Sequence, residues 1–162
     1  TEYERTMLLI IDEIYIAKRL EFSGGNVINL AADGNVASTL LCFMIKSLAG
    51  KYKDIVAIFP INKLSAEKLN TSYQEVMSLL RDLPINVTAI SMDNAATNRK
   101  FFTECLCDGN FDTHVIDEVT CQPIYLFVDP THNLKNLYNN FQACKIFECP
   151  AMDLDLPKGM WS

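Results

Sequence analysis

The chain has 162 residues, 49% of them hydrophobic, and a formal net charge of −6. That length supports one domain with a sizeable core, and the acidic balance speaks against a polybasic surface that grips nucleic acid by charge alone. No apolar run is long enough to span a membrane, and residues 1–20 lack the order of a signal peptide.

Met7 to Ile16 (MLLIIDEIYI) opens the chain with a continuous apolar run, read as a strand buried on both faces. Asp12 and Glu13 interrupt it. An ionised carboxylate costs several kcal/mol to bury unless it is paired, hydrogen-bonded or bound to a metal, so an acid here leaves the core at a strand end or is used. Alternation sends Glu13 to the face opposite Asp12, where it is expected to be solvated or paired. Gly24-Gly25-Asn26 supplies the positive φ angles of a hairpin turn. Val36 to Leu48 and Ile55 to Ile61 are two further apolar strands, and Pro60 belongs at a sheet edge because it lacks a donor.

A helix begins at Ser65, a good N-cap, and its stripe of Leu69, Tyr73, Val76, Met77 and Leu80 recurs at intervals of three and four. Pro84 ends it near Leu83. Val87 to Met92 is a strand running straight into Asp93, followed by a second helix over Thr97 to Cys107 with Phe101, Phe102, Cys105 and Leu106 inward. Ile124 to Val128 is a short buried strand ending at Asp129. Pro130 opens a third helix, whose apolar positions Leu134, Leu137, Tyr138 and Phe141 are expected to be buried. Early strands joined by short connections are expected to be antiparallel, and later ones reached through helices parallel to the first. The expected architecture is an α/β mixed five-stranded sheet flanked by helices.

Six cysteines (Cys42, Cys105, Cys107, Cys121, Cys144, Cys149) are expected to be reduced and mostly buried in an intracellular protein, with no zinc site at these spacings. No Gly-rich phosphate loop follows any strand, which weighs against a nucleotide-binding α/β domain.

With acids ending the first and fourth expected strands, the order of elements matches the ribonuclease-H-like, retroviral-integrase-type layout. The residues themselves resemble the P-element-like transposases and their THAP-domain-bearing relatives. The similarity lies in LLIIDEIYI around Asp12, the loop Ser23-Gly24-Gly25 and the run TLLCFMIKSLAGKYKDIVAIFPI. It continues through AISMDNAATNRKFF around Asp93 and YLFVDPTHNLKNLYNNF from Tyr125. In such transposases two Asp and one Glu hold two divalent ions for DNA strand cleavage and joining. The resemblance therefore implies Asp12 and Asp93 as catalytic metal ligands for Mg²⁺ or Mn²⁺, hard ions that favour oxygen donors. Two such ions about 3.5–4 Å apart activate the attacking oxygen and stabilise the leaving one.

The family's third acid lies on a helix beyond an inserted domain that binds guanine nucleotide. The chain ends at Ser162, about where that insertion is expected to begin, so no Glu is assigned, and neither Glu148 nor Asp153 fills the role. The reading is a C-terminally incomplete ribonuclease-H-like domain over residues 1–147 with residues 148–162 leading toward the insertion, inactive on its own. Asp129, His132 and Lys135 suit either outer-shell support and DNA phosphate contact, or an N-cap and a solvated helix face. Asn98 and Arg99 suit either capping of their helix, the favoured reading, or contact with DNA. For the intact protein the resemblance implies transposon-end and target DNA as partners, homo-oligomerisation, a nuclear location, GTP at the insertion and a zinc-containing DNA-binding domain upstream. The alternative is a domesticated, non-catalytic relative that serves as a DNA- or protein-binding scaffold.

Overall fold

The computed structural model describes residues 3–110 and 112–143. Eight strands and three helices follow one another: β1 (Thr6–Tyr15), β2 (Glu21–Ser23), β3 (Asn26–Ile28), β4 (Thr39–Ser47), β5 (Lys53–Ile61), α1 (Ala66–Arg81), β6 (Asn86–Met92), α2 (Ala96–Lys100), β7 (His114–Ile116), β8 (Pro123–Val128) and α3 (Pro130–Gln142). Six of the strands form one mixed sheet in the order β5-β4-β1-β6-β8-β7. Both β4–β1 and β4–β5 are antiparallel, the second pair joined by a short turn and the first across the segment that holds β2 and β3, while β6 lies parallel to β1 and β8 parallel to β6. The expected five strands are thus joined by a sixth, β7, which pairs antiparallel with β8 at the sheet edge. Its three residues, HVI, are too short to show a periodic pattern. Pro60 sits on β5, the opposite edge strand.

β2 and β3 form a separate ribbon, closed by Gly24 (φ +57°) and Gly25 (φ +82°). Two consecutive left-handed residues make the tight turn whose twist matches a right-handed hairpin, and glycine enters that region without a Cβ clash.

Alternation along β1 divides the sheet into two unequal faces. Met7, Leu9 and Ile11 point into the core with Phe43, Ile45, Ile90, Met92 and Ile124. Helix α1 covers this face with Leu69, Tyr73, Val76, Met77 and Leu80, the stripe expected from spacing, and Lys68 N–H donates to the Ser65 cap at 3.3 Å. Each large side chain buried this fully contributes about 1.5–3 kcal/mol. α2 continues directly into a π-helical stretch, Phe101–Leu106, where an uninterrupted α-helix was expected. A π-helix rotates less per residue than an α-helix, which lets the neighbours Phe101 and Phe102 both turn inward. Phe101 meets Tyr73 edge-on at 5.4 Å.

The opposite face is also apolar but open: Ile14, Ile55, Ile58, Tyr125 and Phe127 are each about half exposed. α3 departs from expectation in the same way. No residue of α3 is buried, and Leu134 and Phe141 are 66% and 72% exposed, with Leu137 and Tyr138 also exposed. An amphipathic stripe marks a surface that gains by being covered, and among the described residues nothing covers this one. The expected segment 148–162, with Glu148 and Asp153, lies outside the described residues.

The β1–β6 ladder contains one irregularity. Met7 pairs with Val87 but Leu8 pairs with Ala89, so Thr88 is an extra residue on β6, and its hydroxyl donates back to Met7 O at 3.5 Å.

Cys42 and Cys107 are free and buried, Cys105 is free and half-buried, and Cys121 is free and exposed. Cys144 and Cys149 lie outside the described residues.

Candidate functional site

The site forms where β1, β6 and β8 end side by side. The parallel ladder runs through Ile10 opposite Ser91. Carried two residues further, the same register sets Asp12 beside Asp93 on adjacent strands, which lie about 4.8 Å apart in a sheet. β8 ends in the same place, with Asp129 N–H donating to Met92 O at 2.7 Å.

Each acid has its own surroundings. Asp12 is exposed on the open face, level with Cys42, and its Oδ1 accepts from the Glu13 N–H at 2.8 Å. Burial, together with the Asp12 charge, pushes the Cys42 thiol up. Asp93 follows the end of β6 and turns toward α2: its Oδ1 accepts from Ala95 N–H at 2.9 Å and from Asn98 Nδ2 at 2.7 Å. Glu13 corrects the expectation of a solvated or paired residue. It is half-buried on the helix-packed side, and burial, then the charge of Asp93, then that of Asp12 push its carboxyl above the ordinary range. Three carboxylates therefore share one neighbourhood without a cation among the forces acting on Glu13.

Asp129 is the N-cap of α3, accepting from Thr131 N–H at 2.8 Å, with His132 Nδ1 at 3.9 Å from its other oxygen. Of the two readings of Asp129, the capping one is what its hydrogen bonds display. Lys135 is exposed on α3, one turn beyond His132. Asn98 and Arg99 do not cap α2 as expected. Asn98 is buried and grips Asp93, while Arg99 Nη1 donates to Asn94 O at 2.7 Å and to Asn94 Oδ1 at 3.2 Å. Asn94 in turn donates to Asn133 of α3 at 3.1 Å, so the loop after β6 is tied to both helices beside it. Asn98 and Asn94 are the contributors that spacing did not reveal; a polar residue five positions after a strand-end acid was the available signal.

The donors at these strand ends are carboxylate oxygens, which suit a hard divalent ion. Their number is short: among the described residues no group of three or more acid, histidine or cysteine side chains is arranged to hold a metal. Asp12 and Asp93 bring carboxylate oxygens, the donor type that Mg²⁺ or Mn²⁺ favours, to adjacent strand ends.

A mixed sheet of this order, with acids at the ends of its adjacent central parallel strands, defines a ribonuclease-H-like domain. The family described as "TNP-like, RNase H N-terminal domain" matches residues 1–105, and the chain belongs to it. Among solved structures, the chain is similar to the Drosophila P element transposase in its strand transfer complex, with 19% sequence identity and a TM-score of 0.64. The match covers 86% of this chain and 30% of that one, so the chain spans less than a third of the protein it resembles. Comparison with curated proteins found no match.

Proposed function

We propose that this chain is the first part of the catalytic domain of a cut-and-paste DNA transposase, with Asp12 and Asp93 as ligands for divalent metal. The observation that carries the reading is the register that sets the two acids together at the ends of adjacent parallel strands. Membership of the family and the shared fold support it.

When bound, Mg²⁺ or Mn²⁺ supplies an activated water or 3′-hydroxyl and charge stabilisation on the leaving oxygen of a phosphodiester. The protein's own part is to hold Asp12 and Asp93 in place. Asp93 commits one oxygen to Ala95 and Asn98, and Asp12 projects from the open side of the sheet. In this reading a further acid comes from chain beyond these residues, and the two acids by themselves bind metal weakly and catalyse little. Transposon-end and target DNA are the proposed partners of the intact protein, in the nucleus and as a homo-oligomer, with His132 and Lys135 at the start of α3 available to phosphate. The acidic net charge of −6 fits a division of labour in which other domains supply most of the DNA affinity. A guanine-nucleotide-binding insertion and a THAP-type zinc domain belong to the same proposal.

A domesticated, non-catalytic scaffold for DNA or protein is the second reading; both readings agree with the lack of a three-ligand group among the described residues. Calorimetric titration with Mn²⁺ separates the two. Weak binding that Asp12→Asn and Asp93→Asn each abolish supports the shared site, and binding unchanged by either substitution overturns it.

A further inference from the structure

We propose that Asn98 is the positioning residue for Asp93: its buried amide decides which carboxylate oxygen is held by the protein and which is presented at the strand ends. The inference deepens the reading above and rests on it for the identity of what Asp93 is presented to.

Asn98 is 5% exposed, a rare burial for an asparagine. Its Nδ2 donates to Asp93 Oδ1 at 2.7 Å, and the Ala95 N–H reaches that same oxygen at 2.9 Å. Both donors converge on Oδ1, and among the described residues no hydrogen bond reaches Oδ2. The other end of the amide is left without a partner: Asn98 Oδ1 is buried and, among the described residues, accepts no hydrogen bond. Leaving a buried acceptor unmet costs about 1–3 kcal/mol. Leucine has nearly the same shape and volume and would carry no such penalty, so stability alone does not account for an amide here. Turning the amide over is no remedy, because Oδ1 would then face the Asp93 carboxylate. The carboxylate sets the orientation, and the orphaned oxygen is its consequence.

The support behind Asn98 is rigid. Its carbonyl accepts the Phe101 N–H at the end of α2, and Phe101 is fully buried against Tyr73 of α1. Core packing thus reaches Asp93 through one side chain, holding a ligand in a single rotamer as outer-shell partners of metal ligands do.

The test compares the chain with its Asn98→Leu, Asn98→Ala and Asp93→Asn variants in three measurements: thermal unfolding, the three-bond couplings that report the Asp93 χ1 rotamer, and calorimetric Mn²⁺ titration. Asn98→Leu is expected to melt at or above the unaltered chain. Asp93 is expected to change from one rotamer to an average of several in both Asn98 variants. Mn²⁺ affinity is expected to fall about tenfold in Asn98→Leu, the low end for outer-shell partners, and to vanish in Asp93→Asn. A single Asp93 rotamer surviving in both Asn98 variants overturns the proposal. So does Mn²⁺ affinity unchanged in Asn98→Leu while Asp93→Asn abolishes it, and so does an Asn98→Leu chain that cannot fold, since the amide would then be a structural requirement. If the unaltered chain binds no Mn²⁺, or Asp93→Asn binds it as well, the ligand reading fails and the rotamer measurement alone decides the role of Asn98.

Discussion

Substituting Arg81 by leucine should destabilise the chain through a carboxylate that it strands. Arg81, in the last turn of α1, donates to Asp117 Oδ1 at 2.5 Å, and the Asp117 side chain is only 5% exposed. Asp117 follows β7 and also accepts from Thr120 Oγ1 at 2.8 Å, so the ion pair ties the edge of the sheet to the covering helix. Removing one partner of a buried pair costs about 3–5 kcal/mol. Because the Arg81 side chain is 25% exposed, water already screens part of the interaction. We expect about 2–3 kcal/mol, which for a domain of this size is roughly 5–10 °C in Tm. Burial pushes the Asp117 carboxyl up, but the hydrogen bonds from Arg81 and Thr120, with the Arg81 charge, more than offset it and leave it below its ordinary value of 3.8. Stability from a depressed carboxyl is present above its unfolded pKa and lost as pH falls through its folded one. The gap between Arg81→Leu and the unaltered chain should therefore narrow below about pH 3.8. Thermal unfolding of Arg81→Leu, Asp117→Leu and the double variant closes the cycle. The double variant is expected within about 1 kcal/mol of the unaltered chain, because well-packed apolar residues replace such pairs at little cost. Single variants whose effects simply add would refute the coupling.

Glu13→Gln should raise Tm by about 1–2 °C at neutral pH, a small effect because the half-buried group is still partly screened by water. Its folded pKa lies above 4.5, so the penalty it imposes grows as pH rises through that folded value, and the two chains should melt together in more acidic solution; a lower Tm for the variant at pH 7 would contradict the repulsion among the acids. Ile58→Lys, on the open face of edge strand β5, should change stability by less than about 0.5 kcal/mol. It should also reduce dye binding by exposed apolar surface and self-association in light scattering, since a charge on an edge strand opposes pairing with another sheet; unchanged dye binding would show that this face is not the exposed apolar surface.

Elements with a strong period were legible before any coordinates. α1 follows from Ser65 and five apolar positions on one stripe, and β1 and β6 from continuous apolar runs that end in acids. That β6 runs parallel to β1 follows from the crossover rule, because a helix between β5 and β6 returns the chain in the direction of β5; that the two strands are neighbours is seen only in the ladder between them. What escaped depends on contacts that no pattern records. β7 exists only because β8 offers it a free edge. The α3 stripe was read correctly as apolar and wrongly as buried, since periodicity reports the need for a cover and not its presence. Glu13 alternates away from Asp12 as expected, yet the face it reaches is half-buried and within range of both aspartates. Asn98 looked like a capping residue because asparagine commonly is one; its burial and its hydrogen bond to Asp93 are tertiary contacts that no local pattern records.

The extra residue in β6 has a bearing on which acid is paired with which. If Thr88 took a partner in the ladder, opposite Leu8, instead of bulging out of it, every later residue of β6 would slide by one against β1, and Asp93 would stand level with Glu13 instead of Asp12. The ladder would still close, and the apolar positions beyond it would be misaligned by one side of the pleat. A one-residue insertion five positions before Asp93 thus acts as a vernier: it selects between two adjacent carboxylates that differ in reach and surroundings. Exchanging the order of the two acids in β1, or closing the bulge so that Thr88 pairs with Leu8, alters the composition of the site without touching Asp93. Variation at such a bulge is a route by which one scaffold could offer either an aspartate or a glutamate to the same partner.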